Sequence, residues 1–330
     1  MRSKLATARA NCSVLEITVP YYLGIDGGGT KTTCAVGDDS QLLATATAGP
    51  SNVVRVGETR ARESLQRSVG QACRAAGIAP REISRTCLGG SGAARPEVAT
   101  LVRSFLAEIL STPIDVVGDM QIALEAAFDR GPGVLVIAGT GSIAYGRDRN
   151  ERTARAGGWG FAIGDEGSAH WIGRAAVGAV LRASDRNSSE PENNAPSTLA
   201  TALCKAWAVS SLTDLARVAN AIPPPDFAVL FPVVSASQDD LACQVLRSAG
   251  TELAQVAGVV VNRLFPKDED GPVPVAMTGG VFRHAELVRQ IFYNDLRALD
   301  SRLEINPEVI EPVEGALRLA RRAGGKAAAS

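Results

Sequence analysis

The fold of this chain is decided by residues 23–32, which read Leu-Gly-Ile-Asp-Gly-Gly-Gly-Thr-Lys-Thr. Short runs of apolar and β-branched residues, 21–23 and 33–36, flank this stretch and predict two strands. Three consecutive glycines between the strands indicate a tight hairpin whose backbone takes positive φ. Because no side chain covers such a turn, its backbone N–H groups can bind an anion. The stretch therefore predicts either a phosphate-binding hairpin or a glycine-rich hairpin without a ligand.

The side chains around this turn fit a polyphosphate with its metal ion. Asp26 ends the first predicted strand, where its carboxylate could hold a hydrated divalent cation. Thr30 and Lys31 follow the glycines and could reach phosphate oxygens. The pattern differs from a P-loop, because Lys31 leads into a strand where a P-loop continues into a helix. It also differs from G-x-G-x-x-G, so a Rossmann dinucleotide site is not favoured.

Composition places the chain among ordinary globular proteins. Its 330 residues suffice for two domains, and 45% of them are apolar and 21% charged. The net charge of −1 gives no electrostatic reason to expect a nucleic-acid partner or a membrane partner. The 6 cysteines, without a C-x-x-C pair, favour the reduced thiols of the cytosol over disulfides or a zinc site. No apolar run has the length of a signal peptide or a membrane span, so we expect a cytoplasmic protein.

The strand–glycine turn–strand pattern occurs a second time. Residues 134–138 predict a strand, 139–142 (Gly-Thr-Gly-Ser) a turn, and 143–146 the returning strand. Two such units predict a duplicated fold whose halves face each other across a cleft. The expected segments are a disordered N-terminal extension (1–20), an N-terminal domain (21–118), a larger C-terminal domain (119–323) and a disordered tail (324–330).

Periodicity and turn residues predict the remaining elements of both halves. The further predicted strands are 41–48, 83–88, 114–117 and 273–277. The predicted helices are 56–76, 96–110, 119–128, 169–182, several within 197–264, one that follows 278–281 and runs to 299, and 313–322.

Five glycine-rich motifs stand in a fixed order along the chain. They are Asp-Gly-Gly-Gly-Thr (26–30), Gly-Thr-Gly-Ser (139–142), Gly-Gly-Trp-Gly (157–160), Gly-Asp-Glu-Gly-Ser (164–168) and Thr-Gly-Gly (278–280). In this order the chain resembles the N-acetylglucosamine kinases of the BadF/BadG/BcrA/BcrD ATPase family, within the sugar kinase, Hsp70 and actin superfamily. The resemblance covers about 21–323, and the Gly-Trp-Gly and Gly-Asp-Glu-Gly-Ser pair is its most specific part. It implies an α/β fold with two ribonuclease H-like (actin-like ATPase) domains facing each other across a nucleotide cleft.

The resemblance also implies a site for ATP, Mg²⁺ and a sugar between the two domains. It implies that the turns at 26–30 and 139–142 contact the phosphates, that Thr-Gly-Gly (278–280) lies along the adenosine, and that the carboxylate of Asp26 holds the metal. Ala236 is expected to approach the nucleotide too, although the family often has glycine there. The implied nucleotide-binding residues are Gly27, Gly28, Gly29, Thr30, Lys31, Gly139, Thr140, Gly141, Ala236, Gly279 and Gly280, with Asp26 for the metal. The implied sugar-binding residues are Asn52, Ser91, Asp119, Gly158, Trp159 and Asp165.

Asp119 is the residue that we expect to accept the proton of the sugar hydroxyl. It follows a predicted strand and begins a predicted helix, whose N-terminus favours the ionised carboxylate that a base needs. Position alone leaves helix capping as the alternative for Asp119, and the same holds for Asp165. Asn52 is equally typical of a turn, and Trp159 of a core.

The predicted function is an ATP-dependent kinase that phosphorylates the 6-hydroxyl of N-acetylglucosamine or a closely related amino sugar. We expect it to act on this small molecule as a homodimer. The alternative is an ATPase activator of a 2-hydroxyacyl-CoA dehydratase, which would carry a [4Fe–4S] cluster held by paired cysteines. No cysteine here lies in a glycine-rich loop suited to that role, and the Gly-Trp-Gly element favours a sugar. The ROK sugar kinases share the expected fold, but their cysteine-rich zinc loop is absent.

Overall fold

The computed structural model describes residues 19–90, 92–187, 197–267 and 271–328. The expected extension over 1–20 therefore lies almost entirely outside the described residues. The strands of the first half are β1 (Tyr21–Gly27), β2 (Thr32–Gly37), β3 (Leu42–Ala48), β4 (Ile83–Gly90) and β5 (Ile114–Gly118). Those of the second half are β6 (Gly133–Ala138), β7 (Ser142–Arg147), β8 (Thr153–Gly157), β9 (Val273–Thr278) and β10 (Leu303–Val309).

Each half contains one five-stranded sheet, and the two sheets have the same topology. Their strand orders are β3-β2-β1-β4-β5 and β10-β9-β6-β7-β8. In both, the first three strands form an antiparallel meander, and the fourth and fifth run parallel to the first. The repeat of the glycine hairpin in the sequence is thus a repeat of a whole sheet, which confirms the predicted α/β fold of two related halves.

The described part of the chain has twelve α-helices, which pack on the sheets or on one another. They are α1 (Val53–Val56), α2 (Glu58–Ala75), α3 (Pro96–Ala107), α4 (Asp119–Phe128), α5 (Ala169–Asn187), α6 (Thr198–Ala206), α7 (Leu212–Ala219), α8 (Phe231–Ser235), α9 (Asp240–Leu264), α10 (Gly280–His284), α11 (Glu286–Leu299) and α12 (Pro312–Ala328). None of these helices has the length and apolar content that a membrane crossing needs.

The core of the first half lies between its sheet and the helices α2 and α3. Leu23 and Ile25 of β1 are fully buried, and they pack in one cluster with Leu65 of α2 and Phe105 of α3. Alternate residues of a strand point to one face, so these two side chains define the side of the sheet that α2 and α3 cover. The apolar residues flanking the first glycine turn thus anchor its hairpin in the core.

The other face of the first sheet is covered by α12, the last helix described. Gly24 lies so close to this helix that a Cβ atom added to it would be 2.4 Å from the backbone nitrogen of Leu317. Arg321 donates to the carbonyl oxygens of Asp38 and Gln41 at 2.6 and 2.8 Å. The chain therefore returns to its first sheet at the end, and the predicted division between residues 118 and 119 stays a prediction.

Four differences from the predicted elements have physical reasons. The helix predicted from 56 begins at Glu58, because Gly57 with φ 78 separates α2 from the short helix α1. The strands β8 and β10 were not predicted, because both are outer strands with mixed polar sequences. The helix α12 runs to Ala328 instead of ending at 322 before a disordered tail, since lysine and alanine favour a helix over 326–328.

Replacing Gly24 by alanine tests the close packing of α12 on β1. We expect the Gly24→Ala variant to lose about 1–3 kcal/mol of unfolding free energy, because the added methyl group meets backbone atoms that cannot rotate away. Urea unfolding followed by circular dichroism measures this loss. Gly70 in α2 is the matched control, since nothing lies within 4 Å of its added Cβ. Gly70→Ala should gain about 0.5–1 kcal/mol, and equal effects of the two substitutions would contradict the packing argument.

Candidate active site

The first glycine turn is held by its own backbone and by the loop that follows β3. The Gly28 N–H donates to the Lys31 carbonyl at 3.0 Å, and Gly27 and Thr32 form the last pair of the β1–β2 ladder. The N–H groups of Ser51 and Asn52 donate to the Gly28 carbonyl at 3.1 and 3.2 Å. The turn therefore fixes the position of Asn52, the residue that begins α1.

The predicted positive φ at the three glycines is wrong. Positive-φ glycines occur elsewhere in the described residues, but Gly27, Gly28 and Gly29 are not among them. Glycine is required for a different reason, which is crowding. A Cβ at Gly27 would lie 2.9 Å from the Ser51 hydroxyl oxygen, and one at Gly28 would lie 2.9 Å from the Lys31 carbonyl oxygen.

Asp26 and Asp119 lie at the same edge of the first sheet. In the parallel register Asp26 pairs with Gly89, and Gly90 pairs with Gly118, which directly precedes Asp119. The carboxyl ends of β1, β4 and β5 are therefore aligned, and side chains that follow them converge. Asp119 is the first residue of α4, where its Oδ1 accepts from the N–H of Met120 at 2.9 Å.

The electrostatics of Asp26 reflect this convergence. The pKa of Asp26 is raised from 3.8 to about 7, first by burial and then by the negative charge of Asp119. The charge of Lys31 acts in the opposite direction, and that of Glu311 adds to the increase. A carboxylate whose proton affinity is raised by a second carboxylate marks a place where a divalent cation is favourable.

The second glycine turn is fixed to the beginning of α5. Gly139 donates to the carbonyl of Gly141 at 2.9 Å, and the N–H of Ala169 donates to the carbonyl of Gly139 at 2.8 Å. No atom lies within 4 Å of the position that a Cβ would take at Gly139, and the same is true of Gly280 at the end of β9. A ligand can therefore approach the backbone at both places.

The two turns meet across the space between the halves. The hydroxyl oxygens of Thr30 and Thr140 are 3.1 Å apart, although their turns connect strands of different sheets. Gly279 joins this region from β9, with φ 108 and its Cα against the Ala138 carbonyl, where a Cβ would be 2.2 Å from the oxygen. The carboxyl ends of β1, β6 and β9 thus surround one region.

Three of the residues expected to bind the sugar lie in surface loops or are held by local contacts. Trp159 is 68% exposed, and the guanidinium of Arg155 lies 5.1 Å from its ring centre, so this tryptophan is not a core residue. Gly158 beside it has φ 67 and lies against Ile143. Asn52 caps α1, because its Oδ1 accepts from the N–H of Arg55 at 3.3 Å. The amide of Asn52 is held in place by this bond.

Asp165 connects the tryptophan loop with the second glycine turn. Its side chain is buried, and Oδ1 accepts from the N–H of Gly160 at 3.3 Å. Its Oδ2 would lie 2.8 Å from a Cβ at Gly141. Burial raises the pKa of Asp165, while the N–H groups of Gly160 and Ser142 lower it. Its carboxylate therefore packs over the turn that contains Thr140.

Two expected residues are not brought to this region by the described contacts. Ser91 lies outside the described residues. Ala236 is exposed at the C-terminal end of α8, and its N–H donates to the Pro232 carbonyl at 3.2 Å. This donor is used by the helix end, so the structure gives no support for a nucleotide contact through it.

Two residues of the region were missed by the sequence analysis. Arg55 lies over Gly29, where an added Cβ would be 3.5 Å from its Cδ atom. Its guanidinium Nη2 lies 2.5 Å from Oδ2 of Asp226 in the second half. The position of Arg55 three residues after Asn52 is only a weak indication that it belongs to the site. No local sequence pattern indicates that Asp226 does.

The donor set fits ATP and Mg²⁺ better than it fits a metal held by protein alone. Within the described ranges, no group of three or more His, Cys, Asp or Glu side chains could hold a metal ion. Mg²⁺ is commonly bound by one or two carboxylates, several waters and phosphate oxygens. Asp26 supplies such a carboxylate, and the backbone at Gly139 and Gly280 is accessible to a ligand.

Comparison with known proteins agrees with this geometry. Residues 23–320 match the sequence pattern of the BadF/BadG/BcrA/BcrD ATPase family. The chain belongs to this family. This family member is built from two related sheets whose glycine turns face each other.

Two characterised relatives and one solved structure are similar to this family member. It is 38% identical over 168 residues to the N-acetylmuramic acid/N-acetylglucosamine kinase of Clostridium acetobutylicum, which covers 50% of the chain and 55% of that kinase. It is 28% identical to the N-acetyl-D-glucosamine kinase of Dictyostelium discoideum, over 91% of the chain and 97% of that kinase. The chain thus spans about half the length of the first relative and nearly all of the second.

The solved structure is a Chromobacterium violaceum protein assigned as an N-acetylglucosamine kinase. Its TM-score with the chain is 0.69 at 26% sequence identity. The superposition covers 92% of the chain and 99% of that protein. The likeness therefore includes both sheets and is not limited to the glycine motifs.

The raised pKa of Asp26 makes stability depend on pH in the absence of ligands. The folded state binds the proton more tightly than the unfolded state, so this residue destabilises the fold as pH rises from 3.8 through about 7. At pH 8 the Asp26→Asn variant should be more stable than the wild type by about 1–2 kcal/mol. The difference should disappear below pH 4, and thermal unfolding across this pH range measures it. A constant difference at every pH would show that Asp26 carries no such penalty.

Proposed function

We propose that this protein is an ATP-dependent kinase that phosphorylates the 6-hydroxyl of N-acetylglucosamine or a closely related amino sugar. The observation that carries the proposal is the meeting of the Thr30 and Thr140 turns beside Asp26 and Asp119. Its support from the comparisons is membership of an ATPase family and the similarity to two amino sugar kinases.

The proposed roles follow from the position of each group. ATP supplies the phosphoryl group and Mg²⁺ neutralises its charge when both are bound. The N–H groups of the two turns and the Lys31 ammonium would hold phosphate oxygens, and Asp26 would hold waters of the metal. Gly279 and Gly280 would lie along the adenosine. Asp119 would accept the proton of the sugar hydroxyl, since the N-terminus of α4 favours its ionised form.

The sugar would bind between the Asn52 loop and the Trp159 loop. Asn52 offers an amide donor to a hydroxyl or acetamido group, and the exposed ring of Trp159 offers a flat apolar face. Gly158 permits the φ of 67 that places this loop against Ile143. Asp165 would orient the loop through its bond to Gly160, whether or not it also touches the sugar.

The proposal includes a cytoplasmic homodimer. All five described cysteines are free, and three of them, Cys34, Cys73 and Cys87, are buried, which suits a reducing compartment. Closed dimers are the commonest assemblies of soluble chains. Sedimentation velocity at micromolar concentration tests the dimer, and a single monomer peak would remove it from the proposal.

The alternative function, an ATPase activator with an iron–sulfur cluster, has less support. Burial raises the pKa of the thiols of Cys34 and Cys87 to about 12, and that of Cys73 to about 11. Cluster ligands must be thiolates, which these environments disfavour. A colourless purified protein with sugar-dependent ADP release would favour the kinase, and a brown protein with sugar-independent ATPase activity would favour the activator.

Substitution of Asp119 tests the proposed base. We expect Asp119→Asn to lower kcat by about 10²–10⁴-fold, because the amide cannot accept the hydroxyl proton. A coupled ADP-release assay with N-acetylglucosamine, glucosamine and N-acetylmuramic acid measures this, and binding of a fluorescent ATP analogue should persist. The control is Asp115→Asn, four residues earlier in β5, where the carboxylate pairs with Arg85 at 2.9 Å. Full turnover by Asp119→Asn would remove this residue from the role of base.

Substitution of Asp26 tests the proposed metal contact separately. Asp26→Asn should require about 10–100-fold more Mg²⁺ for half-maximal ADP release, because a charged ligand to the metal waters is lost. Asp26→Glu should retain most of the wild-type affinity for Mg²⁺, since it keeps the carboxylate. A Mg²⁺ titration at saturating ATP and sugar measures all three proteins, and identical curves would contradict this role.

A further inference from the structure

One ion pair joins the first glycine turn to the helices of the second half. Arg55 in α1 and Asp226, which begins a 3₁₀ turn (Phe227–Leu230), lie 2.5 Å apart through Nη2 and Oδ2. They are separated by 171 positions in the sequence. Most other ion pairs of the described residues either lie within one half or fix α12 to its neighbours.

Arg55 is rigidly connected to the first turn. Its helix begins at Asn52, whose N–H donates to the Gly28 carbonyl at 3.2 Å and whose side chain accepts from the Arg55 N–H. The stem of Arg55 passes over Gly29, where an added Cβ would be 3.4 Å from Nη1 and 3.5 Å from Cδ. A movement of the guanidinium group is therefore coupled to the backbone of this turn.

Asp226 is connected in the same way to the second turn. Its Oδ1 accepts from the N–H of Ala228 at 3.1 Å, which fixes the start of the 3₁₀ turn. That turn packs directly on α5, since a Cβ at Gly173 would be 2.1 Å from the Phe227 carbonyl oxygen. The first residue of α5, Ala169, donates to the Gly139 carbonyl. The path from Asp226 to the second glycine turn thus consists of packed backbone.

We propose that Arg55 and Asp226 form a latch that holds the two glycine turns together when the halves close. The latch and the Thr30–Thr140 contact connect the halves at two separate points. Arg55 is then a positioning residue, because it acts through the turn and not on the reacting atoms. The effect on catalysis rests on the proposed function, whereas the effect on closure does not.

The exposure of the pair suits a contact that forms and breaks. The side chains of Arg55 and Asp226 are 35% and 40% exposed, so solvent and salt screen their attraction. Such a pair shifts an equilibrium between open and closed forms by only a few-fold, which permits substrates to enter and products to leave.

The closure effect can be measured without any ligand. The Thr30→Cys/Thr140→Cys double variant replaces two hydroxyls that are 3.1 Å apart, so mild oxidation should cross-link it from the closed form. Adding Asp226→Asn should slow this cross-linking about two- to five-fold. Asparagine can still cap the 3₁₀ turn, so the local fold is kept.

Asp115→Asn is the matched control for this measurement. Asp115 pairs with Arg85 within the first sheet and is 42% exposed, close to the value for Asp226. Adding it should leave the cross-linking rate unchanged. Equal rates in the Asp226→Asn and Asp115→Asn backgrounds would overturn the latch.

Exchanging the charges of Arg55 and Asp226 distinguishes an ion-pair latch from a purely structural role of the two side chains. Arg55→Asp and Asp226→Arg should each slow cross-linking, and the double exchange Arg55→Asp/Asp226→Arg should restore at least half of the lost rate. In the otherwise native chain, each single variant should raise KM for the sugar about two- to five-fold with a smaller change in kcat. Absence of rescue in the exchange variant would contradict the latch. Absence of kinase activity in the native chain, with the cross-linking results intact, would overturn the proposed function and leave the latch standing.

Discussion

The contact between Thr30 and Thr140 is the constraint on which the candidate site depends. Each threonine lies in a glycine turn that follows the carboxyl end of a central strand. Each turn is anchored in its own half. The first is fixed by the loop that begins α1, and the second by the start of α5. No atom lies within 4 Å of an added Cβ at Gly139 or Gly280, so a ligand can approach the backbone there. A polyphosphate would be held from two sides by groups that are already in position.

The electrostatic arrangement at this contact is costly for the ligand-free protein. Asp26 and Asp119 lie at one sheet edge, and the second raises the proton affinity of the first. Stability is thereby reduced at neutral pH to keep two carboxylates together, as is common at sites built for ligands. The lysine that follows the glycines offsets part of this repulsion. Charge that is unfavourable in the free protein becomes favourable when a cation and a phosphate chain are both present.

Short-range patterns made much of this predictable from the sequence. The two strand–glycine–strand units, the buried β1 and the start of α4 at Asp119 each depend on a few neighbouring residues, and the structure has them where the sequence placed them. The prediction of positive φ failed, because crowding at Gly27 and Gly28 depends on Ser51 and on a carbonyl across the turn. Outer strands such as β8 lack a strong pattern, and the pair of Arg55 with Asp226 has no local signal at all. Sequence thus indicated the chemistry of the site better than the contacts between its halves.

The return of α12 to the first sheet has a consequence for synthesis of the chain. Gly24 of β1 meets Leu317 of α12, and these residues lie near opposite ends of the described chain. Until that helix has been synthesised, the face of the first sheet that carries Gly24 and Ala35 is covered only in part, by Ile122 of α4. Contacts between such distant positions form late and slow folding, and the uncovered sheet is open to wrong pairing meanwhile. The first half therefore completes its core only after residues 313–320 have been synthesised, long after its own last strand, β5.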